Sequence, residues 1–163
     1  MRTAIALAAA FLMSGCGLRP LYGGGGQGAV VRTLSGVDVA PIPGRAGWLV
    51  RTALQDRLRA AGDAAPRYRL QIVLDDEITG YGIRADNATT RERRTLRARY
   101  QLVDAALGTV LLDATAGSDA GIDVVSSEYA TVAAEETALE RLSAELADQI
   151  VARVALYAAR ENP

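Results

Sequence analysis

Tyr68, Leu70, Ile72 and Leu74 alternate with Arg69, Gln71, Val73 and Asp75. A period of two marks a strand buried on one face only. A second alternating run covers Thr95 to Val103, and Thr109 to Ala116 reads as its return strand. Between them Asp104-Ala105-Ala106-Leu107-Gly108 has the length and the closing glycine of a hairpin turn. Upstream, Val37-Asp38-Val39-Ala40 alternates and stops at Pro41 and Pro43, which predicts a short strand at a sheet edge. The period then changes. Over Gly44 to Ala61 the apolar residues Leu49, Ala53, Leu54, Leu58 and Ala61 recur at helical spacing. Arg51, Gln55, Asp56, Arg57 and Arg59 take the other side, and Gly62 is a stop signal. Gly117 to Glu128 is polar and reads as irregular. From about Thr131 to Ala159, Leu139, Leu142, Leu146, Ile150 and Val154 form one helical stripe. Glu135 and Glu136 near its start and Arg153 and Arg160 near its end suit the helix dipole. The expected order is β-α-β-β-β-α. That is an α+β two-layer sandwich: about four mostly antiparallel strands, with two helices packed on one face.

The first residues follow neither period. Met1-Arg2-Thr3 precedes an apolar run, Ala4 to Met13, and then Ser14-Gly15-Cys16. A positive start, a short apolar core and small residues before a break describe a secretory signal. The run holds 10 residues; as a helix it would be about 15 Å long, half of a ~30 Å bilayer core. Cys16 is the only cysteine, so no intrachain disulfide is available. Small residues just before a cysteine resemble a bacterial lipobox, in which the thiol is lipidated and the chain is cut before it. Residues 1–15 are then signal peptide and 16–35 a lipidated, Gly-rich tether in which Gly23 to Gly26 is flexible by composition. Residues 36–163 are a single domain. The 148 residues from Cys16 onward suit one domain.

Composition narrows the chemistry. All 18 basic residues are arginine, with no lysine and no histidine. The commonest general base and metal ligand is therefore missing, and every cation is a planar guanidinium suited to phosphate or carboxylate. Asp75 and Glu77 share one side of a strand, but no further feature supports hydrolysis by paired carboxylates. Gly23 to Gly26 lacks the strand–helix context of a phosphate loop, and Ser126 and Ser127 lie in no nucleophile motif. The chain reads as a non-enzyme without metal or soluble cofactor.

The remaining charge feature is local. Arg84, Arg91, Arg93, Arg94, Arg97 and Arg99 fall within 16 residues, offset only by Asp86 and Glu92. With Leu96, Ala98, Tyr100 and Leu102 facing the core, parity sends Arg91, Arg93, Arg97 and Arg99 to the open face. Arg91 and Arg93 are about 6.6–6.8 Å apart, as are Arg97 and Arg99, with Thr95 between the two pairs. Like charges so placed repel. Two readings follow: an anion-binding face, or a solvated strand face neutralised by Asp75, Asp76 and Glu77 of a neighbouring strand. Nucleic acid is disfavoured, because the chain as a whole is slightly acidic and has few aromatics for base stacking.

Ser14-Gly15-Cys16-Gly17-Leu18-Arg19-Pro20-Leu21-Tyr22 resembles the start of the lipopolysaccharide-assembly lipoprotein family, LptE, in its alphaproteobacterial branch. Tyr68-Arg69-Leu70, Ala98-Arg99-Tyr100-Gln101-Leu102, Tyr129-Ala130 and Ala155-Leu156-Tyr157 are similar in the same order. The resemblance implies an outer-membrane lipoprotein on the periplasmic side, anchored by diacylglycerol and an N-acyl chain on Cys16. It implies a β-barrel partner, LptD, that the protein plugs, and lipopolysaccharide as ligand. Arg91, Arg93, Arg97 and Arg99 are physical candidates for meeting lipid phosphates rather than positions carried over from the family. The alternative is an accessory envelope lipoprotein of another lipid-transport complex.

Overall fold

The computed structural model describes residues 28–83 and 89–161. Three helices and four strands run in the order α1 (Ala29–Ser35), β1 (Val37–Val39), α2 (Gly44–Ala60), β2 (Tyr68–Ile83), β3 (Thr89–Asp104), β4 (Val110–Asp123) and α3 (Glu128–Glu161). The sheet order is β1-β2-β3-β4. The β1–β2 pair is parallel and the other two are antiparallel. This is the α+β two-layer sandwich expected from the periodicity, with β1 at an edge.

The core is built from the positions that the two periods select. Leu70 and Ile72 of β2 and Leu96, Ala98, Tyr100 and Leu102 of β3 are buried. They meet Val50, Leu54 and Leu58 of α2 and the full Leu139–Leu142–Leu146–Ile150–Val154 stripe of α3. At 34 residues, α3 is about 51 Å long, close to the ~53 Å of the 16-residue strands. It packs along β3 and β4, while α2 packs on β1 and β2. Arg57 joins the two long helices: its Nε and Nη2 donate to Asp148 Oδ1 and Oδ2 at 2.5 and 2.9 Å, and Nη2 also to Ala144 O at 3.1 Å. Arg57 thus bridges α2 to α3 rather than facing solvent on the polar side of α2.

Two sequence expectations are corrected. Ala29–Ser35 is a helix rather than part of a tether, which raises the helix count from two to three; it buries Val30 and Leu34 in the common core. Seven residues give too short a stretch for a helical period to stand out, and packing rather than propensity holds a helix of that length. The second correction is at Gly117 to Asp123, expected as irregular and observed as strand. Gly, Ser and Asp have low strand propensity, but β3 supplies a continuous partner from Gly117↔Arg97 to Asp123↔Arg91. The Asp104–Gly108 turn forms as expected. Asp104 Oδ1 accepts from the N–H groups of Ala106 and Leu107 at 2.9 Å each, and Gly108 takes φ +70°.

Candidate functional site

The strand parity holds. Leu96, Ala98, Tyr100 and Leu102 point into the helix layer, so Arg91, Arg93, Arg97 and Arg99 stand on the uncovered face. Arg84 and Cys16 lie outside the described residues.

The partners of these arginines differ from the sequence expectation. Their carboxylates come from β4. Arg91 Nε is 3.3 Å from Asp123 Oδ1. Arg97 Nη2 donates to both carboxylate oxygens of Asp119 at 3.2 and 3.3 Å, and Nη1 to Ser118 O at 3.2 Å. Arg99 donates from Nε and Nη2 to Asp113 at 3.3 and 3.0 Å, and Gln101 donates to Asp113 Oδ2 at 2.8 Å. Asp75 and Glu77 lie opposite Arg97 and Thr95 across β2–β3, but no ion pair links them to the column. Asp76, of the opposite parity, belongs to the helix side. Arg93 pairs with no carboxylate among the described residues. Its guanidinium lies 5.4 Å from the centroid of the Tyr81 ring, a cation–π contact.

Glycine shapes this face. A Cβ at Gly117 would fall 2.5 Å from Arg97 Cδ and 2.7 Å from its Nη1. The bare Cα is what lets Arg97 lie flat across β4 to reach Asp119. The carboxyl of Asp113 is held below its ordinary range by hydrogen bonds from Arg99 and then Gln101. That of Asp119 is lowered by Thr95 and then Arg97. These pairs are exposed, so solvent screening leaves each of them weak. Of the three pairs, Arg99–Asp113 has the two-nitrogen, two-oxygen fork geometry.

A second charged cluster sits between the sheet and the helices. Arg94, of even parity, donates to Asp76 through Nε and Nη2 at 2.8 and 2.7 Å and to Glu135 O at 3.0 Å. Arg45 closes on Glu136 at 2.6 Å. Glu92 lies in the same layer, and its Oε2 is buried without a hydrogen-bond partner. Burial pushes the Glu92 carboxyl up, and the neighbouring Glu135 adds to the shift. A raised native value means that the folded state favours the protonated form. The associated stability is present at acidic pH and is lost as pH rises through the raised value. Glu92→Gln is therefore expected to stabilise the fold at pH 7 by about 1 kcal/mol, with the difference closing below about pH 4. Thermal unfolding at the two pH values checks this; an unchanged or lowered Tm at pH 7 contradicts it. The signal for this layer was parity: Arg94 falls among the core positions of its strand.

Among the described residues no group of three or more His, Cys, Asp or Glu is arranged to hold a metal ion. No described helix is long and apolar enough to cross a membrane.

The family model LptE, described as lipopolysaccharide-assembly, matches residues 32–154. The chain belongs to this family. Membership in LptE assigns it in general terms to lipopolysaccharide assembly among envelope lipoproteins. Solved structures agree. A putative lipoprotein from Caulobacter crescentus is 26% identical, with a TM-score of 0.69 over 83% of this chain and 99% of that one. A minor lipoprotein from Acinetobacter baumannii has a TM-score of 0.62 at 14% identity, covering 75% of this chain and 92% of that one. The rare lipoprotein B from Shewanella oneidensis reaches 0.60 at 12% identity, covering 78% and 98%. The last two show a shared fold. Among curated proteins none matches.

Proposed function

We propose that the protein is an outer-membrane lipoprotein, anchored through lipidated Cys16 on the periplasmic side, that plugs an LptD-type β-barrel and binds lipopolysaccharide on its way to the outer leaflet. Residues 1–15 serve as signal peptide and the glycine-rich stretch after Cys16 as the tether. More than one acyl chain on the cysteine makes anchoring stable, at about 0.8 kcal/mol per buried CH₂.

The observation that supports ligand binding most directly is the column Arg91, Arg93, Arg97 and Arg99 on an uncovered sheet face. Three of the four are held in place by exposed, replaceable carboxylates. The fourth rests on an aromatic ring. Phosphates at the spacing of a lipid headgroup meet pre-positioned guanidiniums, and the barrel excludes bulk water around them. No bond is made or broken.

Two measurements test this reading. Detergent-solubilised outer membrane should yield the protein in a stable complex with a β-barrel; its recovery without one favours an accessory role in another lipid-transport complex. Arg91→Ala combined with Arg97→Ala should weaken lipopolysaccharide binding about tenfold or more, for the loss of two charge-assisted contacts. The unfolding midpoint should move little, because both side chains are exposed. Unchanged binding removes the arginine column from the ligand site.

A further inference from the structure

The outer edge of β4 carries a feature that the arginine column does not use. β4 ends the sheet, so one row of its backbone groups has no strand neighbour. At Gly117 a side chain takes that place. Gly117 N–H donates to Gln149 Oε1 at 3.2 Å, and Gly117 C=O accepts from Gln149 Nε2 at 3.2 Å. One amide thus makes the donor–acceptor pair that a neighbouring strand would make. By the two-residue period, Asp113, Thr115, Asp119 and Gly121 present their backbone groups on the same side.

The packing beside this edge is incomplete. Leu112, Ala114, Ala116 and Ser118 face the helix layer but are only half-buried, while their cross-strand partners Leu102, Tyr100, Ala98 and Leu96 are buried. Ala114 and Ala116 leave a trough of about 530 Å³ between β4 and α3, lined also by Tyr100, Gln149 and Arg153. Arg153 is exposed there and forms no ion pair among the described residues. A fifth strand would cover the half-buried row, satisfy the edge backbone and bring side chains over the alanines.

We propose that the β4 edge around Gly117 is a strand-addition site, held by Gln149 in the free protein and taken by an extended segment of the barrel partner that brings a carboxylate to Arg153. Backbone pairing would supply affinity, and the trough with its single cation would supply register. A closed barrel has no free strand edge, so the occupant comes from a loop or a non-barrel stretch of that partner. The inference rests on the barrel-plug reading.

The test uses the lipidated protein co-purified with its barrel. Hydrogen exchange at the Thr115, Gly117 and Asp119 amides should slow on complex formation relative to the free protein. Thr115→Pro removes one edge donor at a position where an edge strand tolerates proline. It should cut barrel recovery about tenfold, the equivalent of one lost contact of about 1.4 kcal/mol, with the unfolding midpoint retained. Gln149→Ala should keep or raise recovery. A complex that forms with no slowing at these amides overturns the strand-addition site and leaves the barrel-plug reading standing, as does slowing that arises from a second copy of this chain. Failure of the wild-type protein to recover any barrel overturns both.

Discussion

Arg94→Ala is expected to lower the stability of the fold by about 2 kcal/mol, between the values for an exposed ion pair and for a buried one broken from one side. The Arg94 side chain is 11% exposed and that of Asp76 24%, so neither partner regains full hydration when the other is removed. Truncation leaves the Asp76 carboxylate without its two guanidinium donors and Glu135 O without its own. It also removes a cation that attracts Glu136 and Glu135, although Arg45 keeps its own bridge to Glu136. Arg94→Met with Asp76→Leu should recover much of the loss, since apolar replacement of a whole buried pair is often neutral. Denaturant unfolding of the single and double variants checks both statements. A loss below about 1 kcal/mol for Arg94→Ala would show the pair to behave as an ordinary surface bridge.

Among the described glycines, Gly47→Ala should be the most damaging single methyl. Its Cβ would lie 2.5 Å from Ile42 O and 2.7 Å from Ile42 C, which are backbone atoms. Gly47 is buried in the first turn of α2, just after the Pro41–Pro43 segment that follows β1. Neither the helix nor the turn can shift alone, because Val50 and Leu54 one and two turns on are fully buried. Alanine gains about 1 kcal/mol over glycine in helix propensity, yet overpacking against fixed atoms costs about 1–3 kcal/mol and at times more. A net loss of about 2 kcal/mol, with a lowered Tm, is expected; a stabilised variant would refute the close approach. Gly117→Ala makes the instructive comparison. Its Cβ would meet Arg97 at the same 2.5 Å, but the obstructing atoms belong to a flexible side chain that can swing away. Stability should change little there, while Arg97 loses its grip on Asp119.

Both glycines look alike in sequence, and only the neighbour that each one meets separates them. The arginine column makes a similar point. Its membership was legible, because a period of two fixes which residues share a face once Leu96 and Leu102 are given to the core. Its partners were not. Asp75, Asp76 and Glu77 were the nearest acids in an expected neighbouring strand, whereas Asp119 and Asp123 stand in a segment whose glycines and serine hide its strand character, and Asp113 stands in the expected return strand, where only register brings it to Arg99. Which strand an acid faces is a matter of register, and register is set by long-range pairing rather than by local composition.

The sequence by itself determined the α+β class, the stripe of α3, the inward and outward parity of β2 and β3, the Asp104–Gly108 turn and the family. All of these rest on periods and short motifs that residues a few positions apart can encode. Tertiary structure alone decided that Ala29–Ser35 folds into the core, that Gly117–Asp123 is strand, that Arg57 and Arg94 lock helices and sheet together, and that Gln149 occupies the edge of β4. Each of those depends on contacts between residues far apart in the chain, where burial and hydrogen-bond satisfaction outweigh local preference.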